Sequence, residues 1–343
     1  MRPAHNPTMS RMKTARRGGV RTEPAVAALA FAILAVLPLA VDGYPIYILP
    51  QYMLYGILAM SLGLLWGAAG ILSFGQAAFF AIGAYAMGLA MKWELGGNPA
   101  YVALLASIVL GGALAGLVGY FLFSAGARAV YFVLVTLALS IIVEQITISQ
   151  SDITGGYNGM FIPRMSLTLG RSVSVELSGD AGIYYVILLV TAAVYACLHG
   201  VLRSPFGKVL VAIRENEDRA IALGFNTALY KTAAFAISGA VACLSGALYG
   251  THANFVSPSL AGVLFSTQVV VWVAIGGRQS LLGALLGAVA VAALSNYLTA
   301  ITPEYWQLVL GIIFVFVIVA FKGGVAGAVE GLLNRVRREA GHG

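Results

Sequence analysis

Long apolar runs joined by short polar stretches set the pattern of this chain. A run of about 20 apolar residues suits a helix crossing the hydrocarbon layer. Helices satisfy their own backbone groups where no water can. The runs are continuous and do not alternate as barrel strands do. The pattern predicts ten helical spans, at residues 25–41, 46–69, 71–91, 100–123, 129–149, 182–202, 231–251, 261–277, 281–300 and 304–321. Eight spans also fit if 71–91 and 261–277 are re-entrant. The expected fold class is all-α, a polytopic helical membrane protein with about eight to ten transmembrane helices.

Three places depart from plain spanning helix. Pro38 and Pro50 interrupt or kink the first two runs, because proline removes a backbone donor. Residues 67–75, GAAGILSFG, concentrate glycine where two spans meet, and 274–288, AIGGRQSLLGALLGA, repeat that break late in the chain. Glycine-broken helices in corresponding parts of two halves point to a substrate path. The competing explanation is close helix packing through Gly63/Gly67, Gly112/Gly116 and Gly283/Gly287. Both readings stand on the residues alone.

Composition agrees with the pattern. Of 343 residues, 60% are hydrophobic and 10% charged, against roughly 25% charged in a soluble domain. The formal charge of +7 sits in tails and short loops, without a stripe that would read nucleic acid, so it reports orientation. Basic residues gather on the cytoplasmic side. That rule places inside the tail carrying Arg2, Arg11, Lys13, Arg16, Arg17 and Arg21. It also places inside Arg128, Arg278, the loop 203–230 and the tail carrying Lys322, Arg335, Arg337 and Arg338. The loop 150–181 falls outside. The expected organisation is a cytoplasmic basic tail over 1–24, a transmembrane domain over 25–321 and a cytoplasmic tail over 322–343. The first run is long for a signal peptide and lacks a small-x-small cleavage pattern, so it reads as an uncleaved span.

One polar insert stands out, RSPFGKVLVAIRENEDRAIALGFN at 203–226. Ser204 before Pro205 is a capped helix start. Asn216 offers a second cap, with Glu217 and Asp218 where the helix dipole favours negative charge. Gly224 suits a left-handed stop. Two short helices joined near Glu215–Asn216 are predicted. Val209, Ala212 and Ile213 would share a face of the first, and Ala220, Ile221 and Gly224 a face of the second, with the charges turned away. The insert fits a protein contact or an amphipathic helix resting on lipid headgroups.

Other positions carry weaker signals. Ser73, Phe74, Gly75, Gln76, Phe79, Glu144, Gly276 and Gly277 are candidates for a substrate path. Gln76 equally suits a hydrogen bond to a neighbouring helix, and Glu144 either lines a path or reaches water near its helix end. Trp66, Trp93, Trp272 and Trp306 read as interface anchors. Thr154 to Gly159 form a turn-rich outer segment, which on the residues alone only turns the chain. His5, His199, His252 and His342 lack ligand spacing, and Cys197 and Cys243 lack a paired motif, so no metal site is expected. No GxxxxGK[ST] loop is present, so ATP hydrolysis is not expected of this chain.

At Glu217-Asp218-Arg219-Ala220 followed by Gly224, the insert resembles the loop by which ABC-importer permeases dock in their ATPase subunits. The usual form is Glu-Ala-Ala, three residues, then Gly; here Asp218 and Arg219 replace the two alanines. The chain is more closely similar to the permeases of branched-chain amino acid importers. LSFGQAAFFAIGAYAMGL (72–89), DITGGYNGM (152–160), SPFGKVLVAIRENEDRAIALGFN (204–226), KTAAFAISGAVACLSGALYG (231–250) and AIGGRQSLLG (274–283) occur in that family's order.

The resemblance implies an ABC-importer permease fold in a bacterial inner membrane, with both termini cytoplasmic. It implies two ABC ATPase subunits, a homologous second permease and a periplasmic substrate-binding protein. ATP and Mg would be used by the ATPases, with no cofactor on this chain. The coupling residues it suggests are Ser204, Gly207, Arg214, Glu215, Asn216, Glu217, Ala220 and Gly224. The expected solute is a branched-chain or other hydrophobic amino acid; urea or a short amide is the alternative. An ion-coupled secondary carrier is a third reading, weakened because Glu144 is the one acid well inside a span.

Overall fold

The structure is a computed structural model that describes residues 26–39, 43–94, 98–126, 129–163, 167–169, 173–175 and 180–320. The basic tails, Arg128 and parts of the loop 150–181 lie outside the described residues. Helix α1 spans Val26–Leu39. There follow α2 (Tyr44–Gly63), continued by a π-helical turn Leu64–Ala69, then α3 (Gln76–Lys92), α4 (Pro99–Ser124), α5 (Ala129–Ser149) and the short α6 (Ser151–Thr154). The second part holds α7 (Asp180–Arg203), α8 (Pro205–Glu215), α9 (Glu217–Ala222), α10 (Thr227–Ala253), α11 (Val263–Gly276), α12 (Leu281–Ile301) and α13 (Trp306–Ala320). The described residues also hold four short strands: β1 (Met160–Phe161), β2 (Leu167–Leu169), β3 (Val173–Val175) and β4 (Phe255–Val256). Strand β1 pairs antiparallel with β4, Met160 opposite Val256, and β2 pairs with β3. The helical class stands, with these two small ladders added.

Polar caps start the helices where the sequence places them. Asn98, Ser204, Asn226 and Ser280 accept from the backbone N–H groups of Ala100, Gly207, Leu229 and Gly283 at 3.1, 3.4, 3.1 and 3.0 Å. Each cap satisfies a donor that the first helical turn leaves without a partner. The Asn226 cap starts α10 at Thr227, four residues before the expected span 231–251. Pro50 lies inside α2 without ending it.

Six described helices are long and apolar enough to cross a membrane: α2 with its π turn, α4, α5, α7, α10 and α12. The expected span 71–91 needs correction. Gly70 adopts a left-handed φ of +73°, residues 70–75 leave the helix, and α3 begins only at Gln76. Its 17 residues rise about 26 Å, short of the ~30 Å hydrocarbon layer. Helix α11, with 14 residues, rises about 21 Å.

Packing centres on α10, which lies against α4, α3 and α2. Helix α4 buries a narrow stripe of small residues: Ala100, Ala103, Ser107, Gly111, Ala115 and Gly119. A Cβ built on Gly111 would stand 2.6 Å from the Gly239 carbonyl oxygen, so the helices touch backbone to backbone. Gly83 of α3 meets the Cys243 carbonyl and Gly246 of α10 meets the Phe80 carbonyl in the same way. Small residues allow this approach where lipid offers no hydrophobic drive between helices. The pair Gly112/Gly116 sits beside the stripe, where Cβ positions fall 3.6 and 3.5 Å from the side chains of Ala240 and Ala236, an ordinary contact. Between the helices Phe79 and Phe235 meet edge to face at 5.5 Å, and Phe132 meets Phe235 at 5.2 Å. Helix α1 lies on α7, where the Tyr184 hydroxyl donates to the Leu34 carbonyl at 2.6 Å.

The π turn, the segment 203–227, the end of α4 and the α11–α12 turn share one end of the bundle. Gly67 touches the Arg278 backbone, and Lys231 stands 5.8 Å over the Phe123 ring. The β1–β4 ladder belongs to the opposite end.

Candidate coupling segment and solute path

Helices α8 and α9 form the predicted pair, joined at Asn216. The Asn216 side chain accepts from the Arg219 N–H at 2.8 Å, and Gly224 closes α9 with φ +87°. The buried face of α8 differs from expectation. Gly207, Leu210 and Ile213 pack inward, while Val209 is half-buried and Ala212 exposed. Gly207 lies against the Leu202 backbone, so the end of α7 chooses the face that turns inward.

The suggested coupling residues therefore divide by what they touch. Ser204, Asn216 and Gly224 shape the helix ends. Gly207, Arg214 and Ala220 face inward: Ala220 is buried, and the Arg214 guanidinium donates to the Gly67 carbonyl. Glu215 is exposed. Glu217 pairs with Lys231 at 2.5 Å and keeps a partly exposed side chain. Ile221, expected on an apolar face with Ala220, is 53% exposed, and beside it Leu223 is 72% and Phe225 37% exposed. Leu223 and Phe225 were missed because they flank the glycine stop, where no periodicity marks a face.

The candidate path residues also separate. Ser73 is buried and its hydroxyl accepts from the Gly75 N–H at 3.1 Å. The Phe74 N–H donates to the Thr136 hydroxyl at 3.2 Å, and the Phe74 carbonyl accepts from the Ser140 hydroxyl at 2.9 Å. Side chains of α5 thus satisfy backbone groups freed by the 70–75 break, as irregular backbone at membrane depth requires.

Gln76 bridges three helices. Its amide donates to Ser238 at 3.0 Å and accepts from Ser61 at 3.1 Å, and Ser238 donates to the Ser61 carbonyl at 2.7 Å. Phe79 is wholly buried in the core. Gly276 meets the Gly283 carbonyl and Gly287 meets the Gly276 backbone, and Gly277 follows at the close of α11. Gln76, Phe79 and Gly276 each make packing contacts inside the bundle. Glu144 is half-buried. Its carboxylate lies against Gly262, where a Cβ would fall 3.1 Å from Oε1. Gly262 precedes α11, and the positive end of a helix dipole favours an anion there.

The bridging role of Gln76 is measurable. Gln76→Leu should lower stability in mixed micelles by about 1 kcal/mol, the scale of an interhelical hydrogen bond in a membrane protein. Unchanged stability with lost transport would return Gln76 to the path.

A cavity of about 280 Å³ opens between α2, α11, α12 and α13. Gln51, Gln268, Ser295, Asn296 and Thr299 supply polar atoms; Tyr55, Trp272 and Trp306 supply aromatic walls; among the described residues no acidic or basic side chain lines it. None of the eight candidate path residues borders it. Tyr55 is stacked on Trp272 at 5.0 Å and on Tyr249 at 5.7 Å. Trp272 is buried and so belongs to the core, not to an interface belt. The available signal was polar side chains interrupting apolar runs, Gln51, Gln268 and Asn296 among them.

A helix-packed membrane body with a capped, protruding polar segment is the build of a multi-pass permease. Residues 44–329 match the family described as "Branched-chain amino acid transport system / permease component", and the chain belongs to that family. It is similar to the high-affinity branched-chain amino acid transport system permease protein LivM of Salmonella typhimurium, 29% identical over 85% of this chain and 72% of that protein. It is similar also to the probable branched-chain amino acid transport permease protein LivM of Methanocaldococcus jannaschii, 29% identical over 70% and 77%. The ribose import permease protein RbsC of Haemophilus influenzae is 25% identical over 64% and 68%. No solved structure matches the chain. As a permease component the chain is a transport subunit and not an enzyme, and it works with other subunits.

Proposed function

We propose that this chain forms one half of the membrane pathway of an ATP-driven importer for branched-chain or other hydrophobic amino acids. Two ATPase subunits would bind and hydrolyse ATP, a related permease would complete the pathway, and a periplasmic binding protein would deliver the solute. The loop 203–230 and both termini would then be cytoplasmic. The observation that carries the reading is the α8–α9 pair, rigidly capped and presenting Ile221 and Leu223 to solvent. Exposed apolar side chains on a membrane protein's polar end suit a protein partner. The relatives named for branched-chain amino acids support the solute class.

The cavity suits such a solute, because uncharged polar atoms and aromatic walls meet a zwitterion with an apolar side chain. The same lining suits urea and short amides, the second reading. The test is reconstitution with the ATPases, second permease and binding protein in proteoliposomes. Radiolabelled leucine should accumulate only with internal ATP. Uptake driven by an ion gradient without ATP would overturn the proposal, and uptake of urea but not leucine would select the second reading.

A further inference from the structure

Arg214 stands in the last turn of α8, yet its side chain leaves the exposed face and enters the body. Its Nη1 donates to the Gly67 carbonyl, within the π-helical turn that ends α2. Its Cγ lies 2.7 Å from where a Gly70 Cβ would stand. Gly70 is left-handed, so a side chain there would be strained and would also displace the arginine. The last carbonyls of a helix lack intrahelical donors, and a cation there meets the negative end of the dipole. Leu65 already receives the Gly70 N–H, and the Ile71 N–H at 3.1 Å. Arg214 brings Gly67 its donor from another part of the chain.

The turn is held from its other side as well. The Arg278 carbonyl occupies the Cβ position of Gly67, and the Arg278 guanidinium lies 6.0 Å over the Trp66 ring. Beyond the turn the chain passes straight into 70–75, fastened to α5 through Thr136 and Ser140 and to α2 and α10 through Gln76. Polar contacts and the intervening backbone of 67–76 therefore connect α8 to the interior of the helix bundle.

We propose that Arg214 is the positioning residue through which movement of α8–α9 reaches the π turn and the 70–75 break, and not a residue that the ATPase touches. This rests on the ATP-driven reading above. The π turn suits the task because it has a discrete alternative. It holds an extra residue relative to α geometry, so relaxing to α would rotate the following segment by about 100° and shift it about 1.5 Å. A coupling route needs such a two-state element, biased from both ends.

The test uses the complete reconstituted complex and measures leucine taken up per ATP hydrolysed. Arg214→Met keeps the aliphatic stem against Gly70 and removes the donor. It should retain the ATPase subunits and their hydrolysis while the ratio falls by about tenfold, within the usual range of a coupling energy. Arg214→Lys restores a donor for the Gly67 carbonyl and should recover most of the ratio. A merely structural role would reduce complex, hydrolysis and uptake together and leave the ratio unchanged; that result overturns the proposal. Loss of ATPase subunits from the Met complex alone overturns it too, by returning Arg214 to the docking face. If the unmodified chain retains no ATPase subunit, the importer reading itself has failed.

Discussion

Gly246→Leu should leave no monodisperse protein after detergent extraction. The Cβ position of Gly246 coincides with the Phe80 backbone of α3, 2.6 Å from the carbonyl carbon and 3.0 Å from Cα. Backbone cannot swing aside as a flexible side chain can, so α3 and α10 must separate along their length. Separation opens the Gly83–Cys243 contact beside it and loosens the core around Phe79 and Phe235. Overpacking a well-packed core costs roughly 1–3 kcal/mol when neighbours can adjust, and here they cannot. Each ~1.4 kcal/mol is a factor of ten, so the monodisperse peak in size-exclusion chromatography should fall by more than about tenfold. Gly112→Ala and Gly116→Ala are the controls. Their added methyls meet side chains at ordinary distance, and both peaks should survive. A normal peak for Gly246→Leu would mean that α3 and α10 are not packed as described.

Leu223→Asp should leave that peak intact and abolish ATP-driven uptake. Leu223 is 72% exposed, so the permease loses little of its own packing. At a docking surface the same leucine, on burial by a partner, contributes about 1.5–3 kcal/mol, and an unpaired carboxylate there adds a desolvation penalty. A loss of about 2 kcal/mol weakens docking roughly 30-fold. Co-purification of the ATPase subunits reads this directly, and retention at the normal ratio would remove Leu223 from the interface. Glu217→Lys is a less clean probe, because Glu217 is bound to Lys231 and its loss disturbs the junction of α9 with α10.

The α8–α9 pair was legible because local chemistry governs it. Ser204 before Pro205, Asn216 before two acids, and Gly224 after an apolar end each act within one helical turn. The glycine-rich stretch 67–75 announced a break for the same reason. Which face a helix buries was far less readable. Helix α4 is apolar all round, and lipid accepts leucine as readily as a neighbouring helix does. Only its small-residue stripe marks the packed side, and the Gly112/Gly116 motif pointed one residue away from it. Gln76 found its partners Ser61 and Ser238 through the tertiary fold, across separations no local pattern encodes. Trp272 resembled a belt anchor until α2 and α11 brought Tyr55 against it.

The central place of α10 also sets an order of events at the ribosome. Translation completes α4 at Ser124 and α10 at Ala253, and at about 5–20 residues per second the delay between them is on the order of ten seconds. Through that interval the glycine faces of α3 and α4 have only acyl chains or the insertion machinery to cover them. Assembly of α2, α3 and α4 must therefore stay provisional until α10 arrives against them.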